Sequence, residues 1–149
     1  MTLATFWIIS GTLALILLTY QDIKNNMTVD DRRNYFLQGL TFALLGAYTR
    51  NFWVLIGIIA VTVIVTVIYG FAYKKGWVGS ADVNTLSWVT MGLMILNPIA
   101  LVCFFAALLI VTLLTICVRA LVKYKDPLPF YPNILAAWVL VLIFVKIAI

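Results

Sequence analysis

Two aspartates stand where a chain this apolar has little room for charge. Asp22 closes an apolar run in LILLTYQDIK, and Asp82 opens another in GSADVNTL. Burying a carboxylate in hydrocarbon is expensive, so such residues are rare in membrane segments and mark ion paths, proton relays or catalysis. The chain has no Glu and no His, so its acid–base groups are Asp22, Asp30, Asp31, Asp82 and Asp126, with lysines and tyrosines besides. Asp30, Asp31 and Asp126 have polar or charged neighbours, which suits a solvated loop. Asp22 and Asp82 are placed at similar depth by their apolar runs. If they approach, they share one proton, because two like charges in a low dielectric cannot both ionise. One carboxylate then takes a proton from water while the other gives one to a carbonyl oxygen, as in aspartic proteases. Gly79, Ser80 and Ala81, just before Asp82, let a backbone or a substrate strand come close. The plainer alternative is that both residues end helices. Asp is favoured as an N-cap, which would account for Asp82. A helix C-terminus disfavours a carboxylate, so capping leaves Asp22 unexplained.

The elements that must carry these residues follow from hydropathy. Of 149 residues, 65% are hydrophobic and 10% charged. A soluble domain is nearer to about half apolar and about a quarter charged. The composition predicts one compact membrane domain over residues 1–149. Six apolar runs appear, at 2–20, 35–48, 52–73, 83–96, 99–122 and 134–149. The expected fold is an all-α integral membrane protein with six transmembrane helices. Continuous runs without alternation argue against a barrel. The second and fourth runs are short, about 21 Å each at about 1.5 Å per residue, which predicts local thinning of the bilayer. The N-terminal run lacks a basic leading segment and is long, so it is read as a retained span rather than a signal peptide.

Charge sets the expected orientation. The net charge is +5, from ten basic and five acidic residues. The bases lie in short loops between apolar runs, a pattern of topology signals and anionic lipid contacts rather than nucleic-acid binding. Lys24, Arg32, Arg33, Lys74, Lys75, Arg119, Lys123 and Lys125 fall on one side of a six-span layout, with Arg50 and Lys146 on the other. The positive-inside rule makes the first side cytoplasmic and puts the N-terminus and C-terminus outside. All five aspartates then lie on the cytoplasmic side. Tyr20, Tyr35, Tyr48, Tyr73, Trp77, Tyr124 and Tyr131 flank the runs and are expected as interfacial anchors. Cys103 and Cys117 share one run, form no CxxC pair and have no histidine to join them. They are expected as small buried core residues, and no zinc site is expected.

Three segments in order carry a resemblance. YQDIKNNMTVDD follows the first run, GSADVNTL opens the fourth, and LPFYPNILAAW precedes the last. Together they resemble the type IV prepilin and preflagellin peptidases, intramembrane aspartic proteases with a GxGD-like motif. The resemblance implies that Asp22 and Asp82 are the catalytic pair. Gly79, Ala81 and Val83, with Ser80 between, match the segment around the second aspartate, and Pro129 and Pro132 match a Pro-Phe-x-Pro segment. Asn84 stands where a lysine is usual, and Thr28, Val29 and Asp30 replace a common Ile-Pro-Asn. The cysteine-rich insertion of larger bacterial members is absent, which implies a short peptidase without methyltransferase activity. The implied partners are pilin-like or archaellin-like precursors with class III signal peptides, cut at the cytoplasmic membrane face. Asp30, Asp31 and Asp126 are then the carboxylates available to the basic leader. No cofactor or metal is implied. Two other readings remain open: a small ion-coupled transporter or channel, and a non-catalytic assembly factor of the same fold.

Overall fold

The computed structural model describes residues 2–24, 32–75, 79–122 and 130–144. They form six helices: α1 (Leu3–Lys24), α2 (Arg32–Tyr48), α3 (Phe52–Lys74), α4 (Ser80–Leu96), α5 (Pro98–Val122) and α6 (Tyr131–Phe144). No strand occurs among the described residues.

Several helices start on residues suited to the job. A helix leaves its first backbone N–H groups unsatisfied, and Ser, Thr, Asp or Asn at the cap supply an acceptor. Thr2 Oγ1 accepts the Thr5 N–H, Asn51 Oδ1 accepts the Trp53 N–H, and Asn97 Oδ1 accepts the Ile99 N–H. Pro98 opens α5, where its missing N–H costs nothing. Helix α6 differs, for its cap comes from α1, as described below.

The core lies among α1, α2, α4 and α6, with one face of α5 added to it. Helix α4 is the most enclosed, and its buried residues run from Ala81 to Leu93. Helix α3 buries only Ile58 and Thr62 and is otherwise an apolar exterior. Helices α1, α3 and α5 are long and apolar enough to cross a membrane. The exposed Val63, Ile64, Leu109 and Leu113 on α3 and α5 suit lipid rather than water.

Three tryptophans pin the middle of the core. Trp7, Trp88 and Trp138 contact one another edge to face, with ring centroids 5.5–6.2 Å apart. Each indole N–H is matched: Trp7 donates to Thr41 Oγ1, Trp88 to Asn34 Oδ1 and Trp138 to Thr12 Oγ1. Gly92 makes room for the Trp7 ring, which occupies the space a Cβ would need. A Cβ on Gly11 would meet Trp88 at 3.2 Å. Small residues here let large rings sit between helices, as in membrane helix packing generally.

Several sequence expectations change. Helices α2 and α4 each have 17 residues, about 26 Å at about 1.5 Å per residue. Both begin a turn before their apolar runs, because Arg32–Asn34 and Ser80–Asp82 are already helical. Helix α1 likewise runs on to Lys24, so Asp22 lies in its last turn. Cys103 is half-buried and Cys117 exposed, since α5 turns only one stripe to the core. Tyr20, Tyr35, Tyr48 and Tyr73 are exposed as anchors should be, but Tyr131 is buried at 1% exposure. Trp77 and Tyr124 lie outside the described residues, as do Lys123, Lys125 and Lys146.

Candidate active site

Four helix ends meet at one end of the bundle: the C-terminus of α1 and the N-termini of α2, α4 and α6. Asp22 and Asp82 are both there and both buried, at 4% and 6% exposure.

Asp22 points at the start of α6. Its Oδ2 accepts the Tyr131 N–H at 3.2 Å, with the Phe130 N–H beside it. The carboxylate therefore caps a helix 109 residues away in sequence. The positive end of the α6 dipole also favours an anion there, which supplies the reason for Asp22 that its own helix does not. Beside it, Thr19 Oγ1 and Gln21 Oε1 are enclosed and have no hydrogen-bond partner among the described residues.

Asp82 is not the N-cap of α4. Gly79 holds that position, and Asp82 sits in the first turn with Oδ2 accepting the Gly79 N–H at 2.7 Å. This is the reaching-back half of a capping box. Glycine suits position 79 because a Cβ would come within 3.3 Å of the Asp82 carboxylate. Ser80 is exposed, Ala81 buried and Val83 half-buried.

A buried polar cluster built on Asn34 lies beside the two aspartates: Asp22 reaches it through the Tyr131 backbone, and Asp82 lies on α4 between Ala81 and Thr85, both of which bond Asn34. Its Nδ2 donates to the Ala81 carbonyl and to the Tyr131 hydroxyl, each at 3.2 Å. Its Oδ1 accepts Thr85 Oγ1 at 2.8 Å and Trp88 Nε1 at 3.1 Å. These four bonds use both amide hydrogens and both oxygen lone pairs. Trp88 fixes the amide's orientation, because an indole N–H can only donate. Thr85 and Tyr131 hydroxyls lie 2.8 Å apart. Since the Thr85 hydrogen goes to Asn34, Tyr131 donates to Thr85 and accepts from Asn34. Five other threonines, Thr12, Thr41, Thr62, Thr66 and Thr115, donate to the carbonyl four residues back. Thr85 gives up that bond, and Asn34 takes the Ala81 carbonyl in its place.

Tyr131 thus joins both halves. Its backbone N–H holds Asp22, and its hydroxyl holds Thr85, one turn after Asp82 on the same face of α4. Asn34, Thr85, Trp88 and Tyr131 are the residues that a search for charge passes over. A helical stripe, Asn34, Leu37, Thr41 and Leu44, marks Asn34 as inward-facing, and that signal was available in the sequence.

Pro132 lies in the first turn of α6 and is half-buried. Asp30, Asp31, Asp126 and Pro129 lie outside the described residues. Lys24 and Arg32 flank two of these helix ends, Lys74 closes α3 shortly before α4 begins, and Arg119 lies one turn beyond Thr115 of α5, which bonds Asn133 near the start of α6. Among the described residues, no group of three or more His, Cys, Asp or Glu could hold a metal ion. No family model matches the chain, and neither a curated protein nor a solved structure does.

Proposed function

We propose that the chain is an intramembrane aspartic endopeptidase with Asp22 and Asp82 as its catalytic pair. The observation that carries this reading is the burial of two carboxylates, on helices far apart in sequence, beside one polar cluster: Asp22 bonds the Tyr131 backbone, and Asp82 stands one turn before Thr85, which bonds the Tyr131 hydroxyl. A chain that needed only helix caps has cheaper ones, as Thr2, Asn51 and Asn97 demonstrate. One aspartate, ionised, takes a proton from water as the water attacks a peptide carbonyl. The other, protonated, donates to the carbonyl oxygen. The hydrogen bonds from Gly79 and Tyr131 hold the two carboxyl groups in fixed orientations, which limits reorganisation during the reaction.

The substrate class rests on the resemblance to prepilin and preflagellin peptidases. It comprises pilin-like or archaellin-like precursors whose short basic leader stays in the cytoplasm while the apolar segment enters the bilayer. In this reading the chain crosses the cytoplasmic membrane six times, with both termini outside and the aspartates at the inner face. Helices α2 and α4, shorter than the roughly 30 Å hydrocarbon core, thin the bilayer beside the site and admit water. Asp30, Asp31 and Asp126 contact the leader's basic residues.

The test is cleavage of a precursor peptide by the purified protein in detergent. Asp22→Asn and Asp82→Asn should each abolish turnover yet remain folded, since Asn keeps an acceptor for the Tyr131 or Gly79 N–H. Near-normal cleavage by either variant refutes the pair. Absence of cleavage by the unaltered protein favours a transporter or an assembly factor instead.

A further inference from the structure

A groove of about 350 Å³ lies between α1 and α2. Its walls are Leu13, Ala14 and Leu17 of α1 and Phe36 of α2, and its lining is almost wholly apolar. One end is different, for Arg32 and Arg33 both line it there. Arg33 Nη1 is enclosed and makes no hydrogen bond among the described residues. An enclosed guanidinium N–H without an acceptor is unfavourable, and hydrogen bonds to charged groups are the strong ones. The groove therefore has an apolar body and a cationic mouth with an unmet donor.

We propose that this groove binds an anionic phospholipid, its acyl chain against Leu13, Leu17 and Phe36 and its phosphate on Arg33. The complementarity is in both chemistry and place. The arginines begin α2 at one end of the bundle, and the apolar wall extends from them toward the middle of α1, the direction an acyl chain takes from its headgroup. Leu13, Leu17 and Phe36 are 57%, 46% and 62% exposed, so the wall faces outward to lipid. Arginine matches phosphate through its planar fork of donors, and two adjacent guanidinium groups disfavour a headgroup that carries its own fixed cation. A zwitterionic choline lipid therefore binds less well than a glycerol lipid with the same chains. The inference depends on membrane embedding and not on peptidase activity.

Native mass spectrometry of the detergent-purified full chain, offered equal phosphatidylglycerol and phosphatidylcholine of matched chains, tests this. The unaltered protein should retain phosphatidylglycerol in preference by about tenfold, the equivalent of one charge-assisted hydrogen bond at the low end of its range. Arg33→Gln should bring the two lipids to near-equal retention. Leu17→Trp, which fills the groove from an outward position, should reduce retention of both, while Arg50→Gln at the opposite end of α2 should keep the preference. Circular dichroism confirms that each variant is helical. Equal retention by the unaltered protein overturns the proposal, as does a preference that survives both Arg33→Gln and Leu17→Trp. A second copy of the chain held in place of lipid, and released by Leu17→Trp, overturns it in favour of a protein-filled groove.

Discussion

Replacing Asn34 with leucine, which keeps the branched side-chain skeleton but has no polar atom, tests the cluster beside the two aspartates. The structure says which partners can recover. The Ala81 carbonyl loses the Asn34 bond, but Thr85 can then donate back to it, as the other threonines do to theirs. Thr85 and Tyr131 stay within hydrogen-bonding distance of each other. Trp88 Nε1 has no such recourse, because Asn34 Oδ1 is its partner and the side chain is 1% exposed. One orphaned buried donor costs about 1–3 kcal/mol. Asn34→Leu should destabilise the protein by about that amount in denaturant unfolding from micelles, followed by circular dichroism. Trp88→Phe is the partner in a double-mutant cycle, since it deletes the orphaned N–H. It should cost less in the Asn34→Leu background than alone, by about 1–3 kcal/mol. Additivity within about 0.5 kcal/mol would show that the Asn34–Trp88 bond is absent and refute the cluster as described.

Gly92→Ala should destabilise by about 1–3 kcal/mol or more through overpacking, because the Trp7 ring occupies the Cβ position, whereas Gly57→Ala on the open face of α3 should be neutral or slightly stabilising; equal effects in thermal unfolding would contradict the Trp7–Gly92 packing. In a background with Cys103 and Cys117 replaced by alanine, Lys74→Cys and Arg50→Cys should label from opposite sides of intact cells, and labelling from one side would rule out the six-span layout. Neutralising Asp30, Asp31 and Asp126 singly should weaken cleavage only a few-fold, since exposed pairs contribute about 0.2–1 kcal/mol each. The triple Asn variant should lose its preference for basic over neutral leaders, and an unchanged preference would show that these carboxylates do not contact the leader.

Much of the architecture is legible in the sequence because lipid-facing helices advertise themselves. The runs at 52–73 and 99–122 coincide closely with α3 and α5, the helices with most apolar exterior. Boundaries were less legible at α2 and α4, whose first turns are polar. Hydropathy ends a span where charge begins, but Arg32 and Ser80 continue the helix because its backbone bonds do not depend on side-chain polarity. Cys117 went astray for a related reason. A run of uniformly apolar residues carries no sign of which stripe meets protein and which meets lipid.

The sequence by itself determined that Asp22 and Asp82 are exceptional, since a carboxylate beside an apolar run stands out in any register. It also put Asp22 where one apolar run closes and Asp82 where another opens. What it left open is how they are held. Tyr131 reads as one more aromatic at a span end, and Asn34 as the tail of a charged loop. Only the tertiary structure brings the Tyr131 amide to Asp22 and its hydroxyl to Thr85, and only there does Asn34 find four partners on two other helices. Hydropathy is a property of each residue and can be summed along a chain. A buried hydrogen bond exists only between two residues, and which two meet is decided by how the helices pack.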